Sequence, residues 1–161
     1  MFSALGVDCG TNSVRALLVN CATGSELGSV VVDCPSGNQG VILDKSDHHL
    51  ARQNPADYLF GLGKAITGAL AQAAVKAGFL ASLVIGVGVD TTGSSSMPDN
   101  ASNVPPALDP KWSKNLAVLC WPWKDHASHQ EGADITRIPS MILKPGDTYH
   151  STIIYGFSVA K

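Results

Sequence analysis

Short apolar stretches separated by small polar residues open the chain. Residues 4–7 are apolar and stop at Asp8-Cys9-Gly10-Thr11-Asn12-Ser13, after which residues 14–19 are apolar again. Glycine beside Asn, Ser and Thr supplies the dihedrals of a tight turn, so the pattern predicts strand, turn, strand. Residues 21–24 form a further turn, and the alternation over 27–34, with three consecutive valines, predicts a third strand. The chain thus begins as a β-meander. Residues 35–53 turn to Gly, Asp, His and Asn, a loop with at most a short strand at 41–43.

Asn54-Pro55-Ala56-Asp57 reads as a helix start, with an Asn cap, proline in the first turn and an acidic residue behind it. Tyr58, Leu62, Ala65, Ile66, Ala69, Leu70 and Ala73 then recur at helical spacing, and Gly78 is the expected stop. Residues 83–89 are short, rich in valine and unalternated, which predicts a strand covered on both faces. It runs into Asp90-Thr91-Thr92-Gly93-Ser94. The Pro- and Asn-rich stretch 97–110 is an irregular loop, 116–121 a further strand candidate and 125–135 a short helix candidate.

Two places share one design: an apolar strand that ends in aspartate, followed by hydroxyl residues and glycine. A phosphate needs donors at short range and close backbone approach, which Gly, Thr and Ser in a turn provide. An adjacent aspartate repels phosphate unless a Mg²⁺ or its water lies between, so the pairing suggests a metal nucleotide. The alternative is a pair of turns in which Asp accepts local backbone hydrogen bonds. Trp121-Pro122-Trp123-Lys124-Asp125-His126 sets two indoles beside a cation, an anion and an imidazole. Aromatic walls with polar neighbours suit a sugar, although the same tryptophans could be core and the charged trio a helix cap.

Other candidates fail. Gly61-Leu62-Gly63-Lys64-Ala65 lacks the spacing of a phosphate-binding P-loop and lies within the helix pattern, and Gly86-Val87-Gly88 lacks the third glycine of a dinucleotide fingerprint. His48-His49 and His126-x-x-His129 have no completing ligand at known spacing.

Composition narrows the classes. The 161 residues are 45% hydrophobic and only 15% charged, with 11 basic against 13 acidic side chains, which suits one folded domain and not a disordered chain. The basic residues are scattered singly, so no nucleic-acid partner is expected. No apolar run reaches the ~18 residues of a membrane span, and the N-terminus does not read as a signal peptide, so no membrane partner is expected either. Cys9, Cys21, Cys34 and Cys120 stand far apart, which predicts reduced thiols and a cytoplasmic location.

Taken in order, residues 6–16, Pro35-Ser36-Gly37, the block 47–58, the block 86–94 and Cys120 through His126 resemble the FGGY carbohydrate kinases, most nearly their ribulokinase branch. The resemblance covers about residues 5–138. It implies an α/β fold, a ribonuclease-H-like (actin-like ATPase) domain, of which this chain would be the incomplete N-terminal half. It further implies ATP- and Mg-dependent phosphorylation of a ketopentose such as ribulose at its terminal hydroxyl. By position, Asp8 would hold Mg²⁺ through water, and Gly10, Thr11, Asn12, Ser13 and Arg15 would form the nucleotide side. Asp90, Thr92, Gly93, Ser94, Lys124, Asp125 and His126 would line the sugar side. Many members carry arginine two residues after the Trp-x-Asp segment; Ala127 stands there in this chain. The catalytic aspartate that serves as general base, and the second domain that closes over the nucleotide, have no counterpart in the resemblance. The expectation is therefore a partial kinase domain over 1–138 with a divergent or truncated segment over 139–161, inactive alone. The alternative is a non-catalytic, regulatory truncated isoform that binds sugar or phosphate.

Overall fold

A computed structural model of the chain describes residues 1–93 and 95–127. The meander is present as β1 (Ser3–Cys9), β2 (Ser13–Asn20) and β3 (Glu26–Asp33), each antiparallel to the next. Period-2 alternation sorts the side chains. Leu5, Val7 and Cys9 of β1, Val14, Ala16 and Leu18 of β2 and Leu27 of β3 are buried on one face. The 35–53 loop carries two short strands, β4 (Ile42–Leu43) and β5 (Ala51–Arg52), which pair with each other.

The helix α1 (Pro55–Ala74) covers the buried face and begins where the sequence signals it. The Asn54 side chain accepts from the Ala56 amide at 3.0 Å, and the buried Asp57 carboxylate accepts from both the Ser36 amide and hydroxyl, at 3.0 and 2.8 Å. Both put negative character at the positive end of the helix. Small residues make the seam, since Gly61, Ala65, Ala69 and Ala73 are buried. A Cβ on Gly28 of β3 would lie 2.3 Å from the Ala69 carbonyl oxygen, so strand and helix backbones meet almost directly. The helix ends at Ala74, ahead of Gly78. That glycine takes a left-handed φ of 78° in the following turn, where its carbonyl accepts from the Met1 amine.

The chain returns through α1 to β6 (Val84–Thr91), which lies parallel to β1 in the sheet order β3-β2-β1-β6. The expectation of a strand covered on both faces is corrected here: among the described residues Val87 and Val89 are 63% and 64% exposed. The helix packs mainly on β2 and β3, and of β6 the first residue, Val84, packs against the core. Residues 116–121 are likewise not a strand. Asn115 caps a 3-10 turn over Leu116–Val118, and Cys120 and Trp121 then make single bridges to Gln53 and Ser96. The helix candidate over 125–135 lies outside the described residues from position 128 onward. No helix among the described residues is long and apolar enough to cross a membrane.

Candidate functional site

Parallel pairing brings the two aspartate turns together. Asp8 and Asp90 are register partners at the ends of β1 and β6, as are Cys9 and Thr91, and the Thr92 amide donates to the Cys9 carbonyl at 3.1 Å. Motifs 82 positions apart in sequence thus leave the sheet side by side.

The first turn closes on itself, with the Gly10 amide donating to the Ser13 carbonyl at 2.9 Å. Its underside is tied to the rest of the domain. The Gln53 side-chain amide donates to the Thr11 carbonyl at 2.8 Å, the Cys34 amide to the Asn12 carbonyl at 2.9 Å, and the Asn12 side chain to the Gln39 carbonyl. Asp8 and Arg15, partners across β1 and β2, form an ion pair at 3.2 Å with side chains 41% and 60% exposed. Such an open pair is worth at most ~1 kcal/mol.

The second turn holds itself with local bonds. Asp90 accepts from the Thr91 amide at 2.9 Å, and the hydroxyls of Thr92 and Ser95 lie 3.2 Å apart. Gly93 follows in the same turn, while Ser94 lies outside the described residues. Beneath both turns is a cavity of about 270 Å³ lined by Cys9, Tyr58, Thr91, Thr92, Ser95, Met97 and Cys120. Burial raises the pKa of the Cys9 and Cys120 thiols and of the Tyr58 phenol, so this floor stays neutral.

The tryptophan segment joins from the third side. Its backbone is bridged to Gln53 through Cys120, at 2.8 and 2.9 Å, and to Ser96 through Trp121, at 2.7 and 3.1 Å, while the His126 amide donates to the His49 carbonyl. Trp121 and Trp123 are 42% and 58% exposed, so the reading of them as core is set aside. Lys124 lies with its ammonium 5.4 Å from the Trp123 ring. Asp125 differs from its neighbours: its side chain is 8% exposed, ion-paired to Arg52, and accepts from the Ala51 amide at 2.8 Å and the Ala127 amide at 3.2 Å. That carboxylate is already engaged by the protein. Arg52 and Gln53, which organise two of the three sides, stand within the 47–58 block that carries the resemblance, but neither is among the site residues expected from the sequence.

The four cysteines are free thiols. Among the described residues no group of three or more His, Cys, Asp or Glu is placed to hold a metal by itself.

No protein-family model matches the chain. Among curated proteins it is 38% identical over 124 residues to the ribulokinase of Vibrio parahaemolyticus serotype O3:K6, covering 77% of this chain and 21% of that protein. It is 34% identical over 131 residues to the ribulokinase of Geobacillus thermodenitrificans, covering 79% and 22%. The chain thus spans between a fifth and a quarter of the length of these relatives. Among solved structures it resembles a ligand-bound xylulose kinase from Lactobacillus acidophilus, with a TM-score of 0.58 at 15% identity over 84% of this chain and 22% of that one. The xylulose kinase of Rhodospirillum rubrum gives 0.55 at 15% identity over 83% and 23%. The chain is a homologue of the N-terminal region of ribulokinases, with a fold similar to FGGY carbohydrate kinase domains.

Proposed function

We propose that these residues form the phosphate- and sugar-facing part of an ATP-dependent kinase for a ketopentose such as ribulose, built on a ribonuclease-H-like sheet. The single observation that carries this reading is the register pairing of Asp8 with Asp90, which sets the two aspartate turns side by side at the ends of β1 and β6. Phosphoryl transfer depends on positioning and on neutralising charge.

A partly exposed carboxylate with Asp90 beside it in register fits Mg²⁺, which keeps most of its waters and needs one or two carboxylates besides nucleotide phosphates. Asp8 would hold it through water, and the bound ion would shield the phosphate oxygens. Gly10 through Ser13 present a closed turn whose carbonyls at Thr11 and Asn12 are tied inward, which suits donor groups facing a phosphate. Arg15 would add a positive charge from the adjacent strand. On the sugar side, Trp123 would stack a carbon face while Asp90, Thr92, Gly93, Ser94, Lys124 and His126 meet hydroxyls; Asp125 would act through the segment it anchors. The free thiols suit a cytoplasmic enzyme.

The same reading makes the 161 residues a binding unit without turnover, since the face of β6 at Val87 and Val89 is open and catalysis needs a closed, dry cleft. Titration calorimetry of ribulose into the chain should show binding whose Kd rises about tenfold or more in Lys124→Ala, the loss expected for a charge-assisted hydrogen bond. A folded chain that takes up no ribulose overturns the sugar reading. Ribulose-dependent ADP release that disappears in Asp8→Ala would instead overturn the claim that the chain does not turn over.

A further inference from the structure

We propose that Arg52 is a positioning residue for the segment that carries Trp123 and Lys124, a role that rests on the sugar-site reading above. Arg52 is 4% exposed, so it does not itself meet a substrate. Among the described residues, its backbone pairs with Ile42 across β4 and β5, and every side-chain bond it makes beyond its own neighbour goes to residues 116–125. Its Nε donates to the Leu116 carbonyl at 2.9 Å, one terminal nitrogen donates to the Asp125 carboxylate and to the Ala51 carbonyl, and its guanidinium carbon lies 4.5 Å from the centre of the Trp121 ring.

Trp121 and Asp125 therefore sit on a single guanidinium, and the residues between them include the exposed Trp123 and the half-buried Lys124. Clamping both flanks fixes the direction in which the intervening side chains leave the backbone. Arginine is required for this because one planar group must stack on an indole and serve several acceptors at once, which a lysine ammonium does not do. The arrangement also resists slippage, because moving Asp125 away would strand a buried charge.

The test uses the full 161-residue chain labelled with 5-fluorotryptophan, its three resonances assigned by Trp→Phe substitutions, with ribulose titrated by calorimetry. In Arg52→Lys, with far-UV circular dichroism unchanged, the Trp123 resonance should shift or broaden and the ribulose Kd should rise at least tenfold. Asp125→Asn, which keeps the shape and the amide acceptor but removes the charge, should move the same resonance by less and raise the Kd by a smaller factor. A folded Arg52→Lys chain whose Trp123 resonance and ribulose affinity both match the unsubstituted protein overturns the proposal. If Arg52→Lys does not fold, Asp125→Asn decides by the same two readouts. If the unsubstituted chain binds no ribulose, the kinase reading fails by itself, and the Trp123 resonance alone decides whether Arg52 positions the segment.

Discussion

Two glycines in α1, two positions apart, receive the same substitution with opposite expected results. Gly61 and Gly63 are both helical, so replacing either with alanine gains about 1 kcal/mol of backbone preference. At Gly63 a new Cβ meets nothing within 4 Å, and that gain should appear in full. At Gly61 the Cβ would lie 2.5 Å from Cγ2 and 2.8 Å from Cβ of Val14, closer than carbon atoms approach without displacement. Val14 is fully buried in β2 and its branched side chain has little rotamer freedom, so it has nowhere to move. Overpacking of this kind costs about 1–3 kcal/mol. Gly61→Ala should therefore end between neutral and about 2 kcal/mol less stable, and the two variants should differ by the overpacking cost alone because the propensity gain cancels between them. With a urea slope of about 1–3 kcal/mol per molar, the unfolding midpoints should separate by roughly 1 M, followed by circular dichroism at 222 nm. A Gly61→Ala midpoint at or above that of Gly63→Ala would refute the close seat of the helix on β2. The point bears on the site because Val14 directly follows Ser13, the last residue of the first aspartate turn.

Two further perturbations test the helix start and the buried thiols. Asn54→Ala removes the acceptor for the Ala56 amide and the 3.3 Å contact to Ser36, and should lower stability by about 1 kcal/mol in a thermal melt, whereas Asn54→Asp should retain most of it. Burial, then the charges of Asp57 and Asp33, push the Cys34 thiol from 9.0 to about 11. Because the folded pKa exceeds the unfolded one, the stability from keeping this thiol neutral is complete below pH 9 and is lost as pH rises through about 11. The urea midpoint of the unsubstituted chain should fall more steeply than that of Cys34→Ser between those values, and parallel profiles would contradict the burial.

Local chemistry made the meander and the helix legible. Each hairpin carries its own turn residues, and Asn54, Pro55 and Asp57 mark the helix start within four positions, so no distant contact is needed to see them. The β6 strand was found but its burial was misjudged, because an unalternated apolar run reports what a strand is able to bury and not what lies against it. Residues 116–121 misled for a related reason: a run of apolar residues does not show that Asn115 will cap a 3-10 turn there. At the site, both aspartate turns and the tryptophan segment were visible as motifs. Arg52 and Gln53 stood within the 47–58 block, but their roles were not visible, since a buried arginine is recognised by its partners, and Asp125 lies 73 positions away. For the same reason the engagement of Asp125, expected on the sugar side, by Arg52 and the Ala51 amide was not legible, since it exists only in three dimensions.

The adjacency of the two aspartate turns follows from topology. Strand ends reach the same sheet edge either through a hairpin or through parallel pairing, and this sheet uses both: β1 and β2 share the first turn, while the return through α1 lays β6 parallel to β1. Parallel neighbours lie about 4.8 Å apart, so two register-paired carboxylates repel each other. Like charges directly across a sheet cost about 0.2–1 kcal/mol. Arg15 offsets part of this at Asp8, whereas among the described residues Asp90 accepts from the neighbouring Thr91 amide alone. A fold indifferent to chemistry would relieve the repulsion by placing an amide or hydroxyl at either position. The pair instead stands beside a closed glycine turn, where, on the kinase reading proposed above, an approaching cation or hydroxyl proton would turn the repulsion into attraction.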